Sequence, residues 1–495
     1  MGSIRKQTII SSLLVYVGFI IGAINTYFYT KNGSFTPEQY ALTRIFFDFA
    51  QNMTAFGALG VIPVIYKFYP YYKDNLEKHK IDLMTWGMLA SLIGFLLILL
   101  LGLYFQPIFV HQFTEKSKLI LDYYYWMFPF ALGMLLFSTL EGFAWALQKT
   151  VVTNFLRETF LRIITSIIIV LYYFKIISFD RFVQIFACLY LLVFLVMLIF
   201  LLNTGELHFP SVISRVTKKF WKKMLSMQIL IYCGTLIASI AATIDSFIIA
   251  KFQGLVVVGV FVFAQYAANL VQVPQRSIQA ISAGVLSRAW KDKNYQEISR
   301  IYKRSCINLM LIALFIFGNL WLNVHQGIQV LHIQKEYETG LGVIFILGLV
   351  RIIDAATGLN GMVIATSTFW RFEFFSGVIL LALRLPLTYY LIKNYGILGS
   401  AVAELVSYSC YNLIRFEFLR RKFNMQPFDG KTVLALLVTG FAYFTAFYVF
   451  NNIEGFVGIT IRTITFSGIM VAGIFALQLT PDALQLYHNF KKRFE

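Results

Sequence analysis

Ionisable side chains stand inside long apolar stretches of this sequence, and their positions are the first guide to its chemistry. Glu404 lies in the middle of NYGILGSAVAELVSYSCYNLIR, a stretch of mostly small and apolar residues. In hydrocarbon a carboxylate costs at least about 2.5 kcal/mol, so we expect it to face a protein interior or a water-filled cavity. The same expectation applies to Arg44, Asp48, Glu141, Arg157, Glu158, Arg162, Asp245, Arg276, Arg351, Asp354 and Arg384.

The basic and acidic members of this set suit different ligands. A guanidinium group binds phosphate oxygens in a bidentate way, and neither Arg276 nor Arg384 has an acidic residue three or four positions away. Asp245 and Glu404 are titratable and could carry a coupling cation. The candidate substrate-binding cations are Arg276, Arg351, Arg384, Arg44 and Arg162, and the candidate coupling or gating acids are Asp245, Glu404, Asp354, Asp48 and Glu141.

A purely structural role is the alternative for several of these groups. Arg44 with Asp48, and Arg351 with Asp354, have the spacing of neutralised pairs on one helix face. Arg157 and Glu158 cannot pair in that way, because adjacent residues point about 100° apart on a helix. Across helices, Glu404 could pair with Arg384. The sequence leaves the structural and the functional alternatives open.

Composition decides the class of protein that must position these groups. Hydrophobic residues make up 58% of the chain and charged residues 13%, with a mean hydropathy of +0.70. Soluble domains contain roughly a quarter charged residues, so the chain is predicted to be an integral membrane protein. Its apolar runs are long and do not alternate in polarity, which predicts spanning helices rather than a barrel. Scattered cysteines and histidines predict neither a disulfide framework nor a metal site.

The apolar runs and the punctuation between them predict about fourteen transmembrane helices in an all-α fold. They cover residues 8–29, 40–66, 82–105, 119–147, 151–174, 180–202, 224–249, 256–286, 301–324, 339–367, 370–392, 397–419, 431–450 and 456–479. The first run has a basic lead and no small-residue cleavage site, so we expect an uncleaved helix rather than a signal peptide.

Lysine and arginine are distributed unevenly over the two sides of this layout. The side that carries both ends of the chain has about three times as many of them as the other, which predicts cytoplasmic termini. The same bias accounts for the net charge of +18 without any nucleic acid, through topology and contact with anionic head groups of membrane lipids.

A weak internal repeat divides the helices into two sets of six. YVG at Tyr16 recurs as YCG at Tyr232, and FALGML at Phe130 recurs as FILGLV at Phe345, at nearly the same separation. Two copies with an even number of helices are parallel, and transporters built in this way bind substrate between their halves. The predicted organisation is an N-terminal lobe over 1–205, a C-terminal lobe over 206–425, and two further helices with a cytoplasmic tail over 426–495.

Three segments resemble polysaccharide-export flippases of the Wzx type, in the multidrug/oligosaccharidyl-lipid/polysaccharide (MOP) superfamily. YGILGSAVAELVSYSCYNLIR is similar to their twelfth helix, with its YGI-x-G-[AS]-A-x-A pattern and closing arginine. ATIDSFIIAKFQGLVVVGVFVFA, from Ala242, is similar to their helix 7–8 turn. FGALGVIPVIYKFYP, from Phe56, is similar to the end of their second helix. Each motif is loose, and their order and spacing carry the resemblance.

The resemblance implies a V-shaped pair of lobes that alternates access across the bacterial inner membrane. The expected cargo is an undecaprenyl-pyrophosphate-linked oligosaccharide for cell-surface polysaccharide such as O-antigen. It further implies energy from an H+ or Na+ gradient and no cofactor. The expected partners are membrane lipids, a polysaccharide polymerase and glycosyltransferases. By the same resemblance, Arg276, Arg351 and Arg384 would contact phosphate or sugar, while Asp245 and Glu404 would couple or gate.

The sequence departs from two related branches of the superfamily, and three other functions are alternatives to a flippase. The eleventh predicted helix carries Arg384 and no acid in its core, unlike the lipid II flippase branch. The first predicted helix contains no acid, only Asn25, unlike the acid-coupled drug exporters. No nucleotide-binding glycine-rich loop occurs. A multidrug or cation exporter of the same superfamily is the nearest rival. A membrane-embedded polymerase or sugar transferase, which would be an enzyme, lacks a long outer loop with clustered acids or histidines, and a scaffolding role would leave the buried charges unexplained.

Overall fold

The computed structural model describes residues 2–113 and 116–482, and helices make up most of them. The first eleven helices are α1 Gly2–Thr30, α2 Pro37–Gly57, α3 Val61–Asn75, α4 Leu83–Tyr104, α5 Gln106–Phe113, α6 Lys118–Asp122, α7 Met127–Ala146, α8 Thr150–Asn154, α9 Leu161–Tyr173, α10 Phe179–Ala187 and α11 Leu189–Asn203. The remaining nine are α12 Arg215–Phe252, α13 Leu255–Asn269, α14 Val273–Lys291, α15 Tyr295–Val330, α16 Leu341–Ala356, α17 Asn360–Ala365, α18 Trp370–Phe423, α19 Gly430–Phe450 and α20 Gly455–Ala476. No β-strand occurs in these ranges, so the predicted all-α membrane fold is confirmed.

Fewer helices than the fourteen predicted are long and apolar enough to be counted as separate membrane spans. Among the described residues, 11 helices are long and apolar enough to span, or 12 if α2 and α3, bent by 51°, form one span. Residues 151–174 are missing from this set: Arg157, Glu158 and Arg162 lie there, and a π-helical turn at Phe155–Phe160 separates α8 from α9. The predicted eleventh and twelfth helices are joined in α18. The count of fourteen is therefore not confirmed.

α18 is a hairpin of two helical arms rather than one rod. Its 54 residues would extend about 80 Å at 1.5 Å per residue, far beyond a hydrocarbon core of about 30 Å. At Gly396 the backbone takes φ 65° and ψ −146°, a region that only glycine adopts readily. Arg384 and Glu404 lie on opposite sides of Gly396, yet their side chains are 3.1 Å apart. The chain therefore reverses at Gly396.

Contacts divide the chain into two compact units, Met1–Gly259 and Val260–Glu495. In the first unit, the rings of Phe46, Phe130, Phe186 and Tyr190 pack α2, α7, α10 and α11 together. In the second unit, α20 packs against α15 so closely that a Cβ on Gly318 would lie 2.3 Å from the Phe466 ring. The three-part organisation predicted from the repeat, with boundaries at 205 and 425, stays a prediction.

Candidate functional site

Three charged side chains meet in the second unit around one carboxylate. Arg351 Nη2 lies 2.9 Å from Glu404 Oε1, and Arg384 Nη2 donates a hydrogen bond of 3.1 Å to Glu404 Oε2. All three side chains are buried, with Glu404 only 2% exposed. Each carboxylate oxygen thus faces a different guanidinium group. We call Arg351, Arg384 and Glu404 the charge triad.

The hairpin in α18 brings Arg384 into contact with Glu404. Arg384 is on the arm before Gly396 and Glu404 is on the arm after it, while Arg351 comes from α16. The arms approach closely because Gly399 has no side chain: a Cβ there would lie 2.1 Å from the carbonyl oxygen of Leu391. Small residues permit such close helix contact in membranes. Ala401 and Ala403 beside it are fully buried.

Neutral side chains around the charge triad hold its two arginines. Arg351 Nε donates to Asn269 Oδ1 at 3.1 Å. The guanidinium carbons of Arg351 and Arg384 lie 6.0 and 5.8 Å from the centre of the Tyr408 ring, within the range of cation–π attraction. Because two guanidinium groups oppose one carboxylate, the charge triad carries a surplus of one positive charge.

Asp354 does not pair with Arg351, although their spacing allowed it. Its carboxylate accepts hydrogen bonds from Gln275 Nε2 at 3.0 Å and Asn412 Nδ2 at 3.2 Å, and Gln272 Nε2 is 3.4 Å away. Asn412 Oδ1 in turn accepts from Asn360 Nδ2 at 2.9 Å. The arginine is thereby left for Glu404, and the structural pair suggested by the sequence is wrong here.

In the first unit the charges of α2 form a local pair. Arg44 Nε lies 2.9 Å from Asp48 Oδ1, and the Asp48 side chain is 2% exposed. This is the structural pair that the i, i+4 spacing suggested. Asp245 on α12 is also buried. Nearby polar residues tie the two helices together: Asn52 on α2 donates to Thr243 at 2.8 Å and accepts from Ser239 at 2.9 Å.

Around the π-helical turn the charged side chains form two ion pairs. Arg157 Nη2 lies 2.5 Å from Glu141 Oε2, and Arg162 Nη2 donates to Glu158 Oε2 at 2.9 Å. Glu141 is buried, whereas Arg157 is 38% exposed. Adjacent Arg157 and Glu158 do not pair with each other in these contacts, as helix geometry predicts.

The structure therefore separates the candidate residues into groups. Arg351, Arg384 and Glu404 are in contact, and Asp354 lies one helical turn from Arg351 on α16. Arg44 pairs with Asp48, and Glu141 pairs with Arg157. Arg276 lies in α14, but its side chain is outside the described residues. No group of three potential metal ligands occurs in the part of the chain searched, 2–113 and 116–482.

The sequence did not predict the neutral members of the site, because an amide or a phenol in an apolar run is a weaker signal than an ionised side chain. Asn269, Gln272, Gln275, Tyr408 and Asn412 hold the ionised groups, and none of them is charged. A signal was available for two of them. Tyr408 follows Glu404 by four positions, and Gln275 follows Gln272 by three, so each pair shares a helix face.

Comparison with protein families places the chain. Residues 4–287 match the family described as polysaccharide biosynthesis protein, which is more than half of the 495 residues. The chain belongs to this polysaccharide biosynthesis protein family. No curated protein sequence matches it.

Solved structures share the fold of this polysaccharide biosynthesis protein at low identity. The lipid II flippase MurJ in an inward closed conformation superposes with a TM-score of 0.72 at 13% identity, covering 95% of this chain and 99% of MurJ. The MATE multidrug transporter DinF-BH gives 0.58 at 17% identity, covering 85% and 95%. A MOP superfamily transporter from Pyrococcus furiosus gives 0.56 at 13% identity, covering 85% and 96%. The chain shares the fold of these three proteins.

Proposed function

We propose that this protein is a flippase that moves a lipid-linked oligosaccharide across the bacterial inner membrane by alternating access. The lipid carrier is undecaprenyl pyrophosphate, and the glycan is destined for cell-surface polysaccharide. Membership of the polysaccharide biosynthesis protein family supports the pathway. The likeness of the fold to the lipid II flippase MurJ supports the type of movement.

The single observation that carries the proposal is the excess of arginine in the charge triad. Arg351 and Arg384 share one carboxylate, Glu404. A pyrophosphate offers several oxygens and more negative charge than a carboxylate, and arginine binds such groups in a bidentate way. When α16 and the first arm of α18 move away from the second arm, pyrophosphate replaces Glu404 as the partner of both arginines.

Replacement of Glu404 by substrate also provides a route to ion coupling. A buried carboxylate that has lost both arginines is costly, so it takes up a proton or a sodium ion. Cation uptake and pyrophosphate binding then occur together at the charge triad, so the cation crosses with the lipid-linked oligosaccharide and the rate of the cycle depends on the H+ or Na+ gradient. Glu404 is the coupling residue in this mechanism, and Arg351 and Arg384 are the substrate-binding residues.

A multidrug or cation exporter of the same fold is the alternative function. Such a protein needs a site with an excess of negative charge for its cargo. The charge triad has the opposite sign, since two arginines oppose one glutamate. This polarity favours an anionic head group over a cationic drug.

The test uses inner-membrane vesicles of a strain that lacks the protein. It measures how much of the lipid-linked glycan can be reached by a sugar-specific probe on the periplasmic side of the membrane. Without the protein, we expect the glycan to accumulate on the cytoplasmic leaflet. The wild-type protein restores translocation. Arg384→Ala does not, because it removes an arginine that binds pyrophosphate, and Glu404→Gln does not, because it removes the carboxylate that pyrophosphate replaces.

Arg420→Ala and Glu417→Gln are the matched controls. They remove the same side-chain types from the end of α18, where Arg420 and Glu417 form an ion pair of 2.9 Å and Arg420 is 53% exposed. We expect both to translocate like the wild type. Full activity of Arg384→Ala and Glu404→Gln would remove the charge triad from the mechanism. Normal translocation without the protein, in a strain with no second flippase, would refute the function.

A further inference from the structure

A polar cavity of about 360 Å³ lies within the second unit. Its walls come from α14, the segment from α16 through α17, and both arms of α18. The volume is at the lower end of the range of ligand pockets, about 300–1,000 Å³. Tyr408 lines it and also packs beneath Arg351 and Arg384, so the cavity adjoins the charge triad.

The lining differs in chemistry from the charge triad. Amide and phenol groups dominate it, through Gln275, Gln279, Asn360, Tyr408 and Tyr411. The one lining arginine, Arg415, is paired with Glu373 and stacks on Tyr411, with 3.7 Å from the guanidinium carbon to the ring centre. No excess of positive charge is left here for a phosphate. The walls offer amide and phenol donors and acceptors beside aromatic rings, together with the carboxylate of Asp354.

Three buried polar atoms at this cavity have no hydrogen-bond partner among the described residues. They are the acceptors Gln275 Oε1 and Glu373 Oε2 and the donor Arg415 Nε. The amide orientation of Gln275 is fixed, because its Nε2 donates to the Asp354 carboxylate, which can only accept when ionised. Leaving such atoms unpaired is costly. A ligand that both donates and accepts would satisfy all three.

Hydroxyl groups combine a donor and an acceptor in one atom, and a sugar ring carries several of them around apolar C–H faces. Such a ring can pair with Gln275, Glu373 and Arg415 while its C–H face packs on Tyr408 or Tyr411. We propose that this cavity is a saccharide-binding subsite, which takes an uncharged sugar of one or two rings. It deepens the proposed function and rests on it for the identity of the glycan: pyrophosphate binds at the charge triad, and the first sugars occupy the adjoining cavity.

Binding of free sugar tests the subsite without transport. The full chain in lipid nanodiscs is mixed with D-glucose, D-galactose, D-mannose, L-rhamnose or N-acetyl-D-glucosamine, and saturation transfer from protein to sugar protons is measured by NMR. We expect transfer to at least one sugar, above that from empty nanodiscs. In Gln275→Leu and Glu373→Gln, affinity falls roughly tenfold or more, because each leaves a sugar hydroxyl unpaired in a buried site.

Gln329→Leu is the matched control, since Gln329 is an exposed residue of α15 in the same unit. It should bind sugar like the wild type, and thermal unfolding identifies any variant that has lost its fold. Glu373→Gln keeps the shape of the side chain and remains informative if Gln275→Leu does not fold. Absence of transfer to all five sugars, or transfer unchanged in both cavity variants, overturns the subsite. If the protein binds sugar but does not translocate lipid-linked glycan, the flippase function is wrong and the subsite is supported. If it translocates lipid-linked glycan but binds no sugar, the subsite is wrong and the flippase function is supported.

Discussion

At the residue scale, the stability of the charge triad depends on which of its members is removed. Glu404 neutralises two arginines that are buried with it. Loss of Glu404 removes the carboxylate that the two buried guanidinium groups share. Loss of Arg384 leaves Arg351 and Glu404 as a neutral pair. The two substitutions therefore differ in their cost to the stability of the folded protein, although each removes one charge.

We predict that Glu404→Gln lowers the free energy of unfolding by about 3–5 kcal/mol, the cost of breaking a buried ion pair by removing one partner. Arg384→Ala should cost less. Inorganic pyrophosphate should raise the unfolding temperature of Glu404→Gln more than that of the wild type, because it supplies the missing negative charge. Thermal unfolding of the purified chain in detergent measures both effects.

Glu417→Gln serves as the control for this prediction. Glu417 contacts Arg420 and Arg421 at the end of α18, where both arginines are exposed, and surface pairs contribute about 0–1 kcal/mol. A larger loss of stability in Arg384→Ala than in Glu404→Gln would contradict the account of the charge balance. So would equal stabilisation of Glu404→Gln and the wild type by pyrophosphate.

The sequence predicted which charges would be buried and suggested two of the pairs that they form, Arg44 with Asp48 and Arg384 with Glu404, but not the contact of Arg351 with Glu404. Glu404, Arg351 and Asp48 are buried as their positions in apolar runs required. The spacing rule found the pair of Arg44 with Asp48, because both lie on one helix. It failed for Arg351, whose partner Glu404 lies on another helix. Spacing along one helix carries no information about the packing of separate helices.

At the element scale, the charge triad depends on the reversal of α18 at Gly396. The positive φ there is strained for any residue with a side chain, and the reversal brings Arg384 to Glu404. We predict that Gly396→Ala lowers the free energy of unfolding by about 1–3 kcal/mol and also impairs translocation. Chemical unfolding in mixed micelles, together with the vesicle assay, measures the two effects.

Gly377 on the first arm of α18 is the matched control. Nothing lies within 4 Å of a Cβ placed there, and its φ is not positive. Gly377→Ala should be neutral or should stabilise the helix slightly, because alanine reduces the conformational freedom of the unfolded chain. Equal effects of the two substitutions would show that the reversal at Gly396 does not need glycine.

Most helices were predictable because apolar runs with polar punctuation determine them directly. The turn between the predicted helices 370–392 and 397–419 coincides with the break at Gly396. The π-helical turn at Phe155–Phe160 was not predictable. It accompanies a contact between distant segments, in which a Cβ on Gly18 would lie 2.3 Å from the carbonyl oxygen of Glu158. A contact of this kind leaves no local pattern in the sequence.

At the scale of the whole molecule, the uneven distribution of lysine and arginine predicts that both termini are cytoplasmic. Single cysteines placed in a cysteine-free background test this orientation. Glu77→Cys, in an exposed loop beside Lys78, should be protected from a membrane-impermeant maleimide in intact spheroplasts. Glu336→Cys, also exposed and beside Lys335, should be labelled. The reverse pattern would invert the topology, and labelling of both sites after membrane lysis is the control for accessibility.

The measurement that tests the central claim most directly is translocation by the purified protein alone. The full chain is reconstituted into liposomes that contain a polyprenyl-pyrophosphate-linked oligosaccharide, and the fraction of glycan reached by an external sugar oxidase is followed with time. We predict that the wild-type protein exposes the inner-leaflet pool to the oxidase, faster when an H+ or Na+ gradient is imposed, and that Glu404→Gln does not. If the inner pool stays inaccessible with the folded wild-type protein under every gradient, the protein is not a flippase for such lipids.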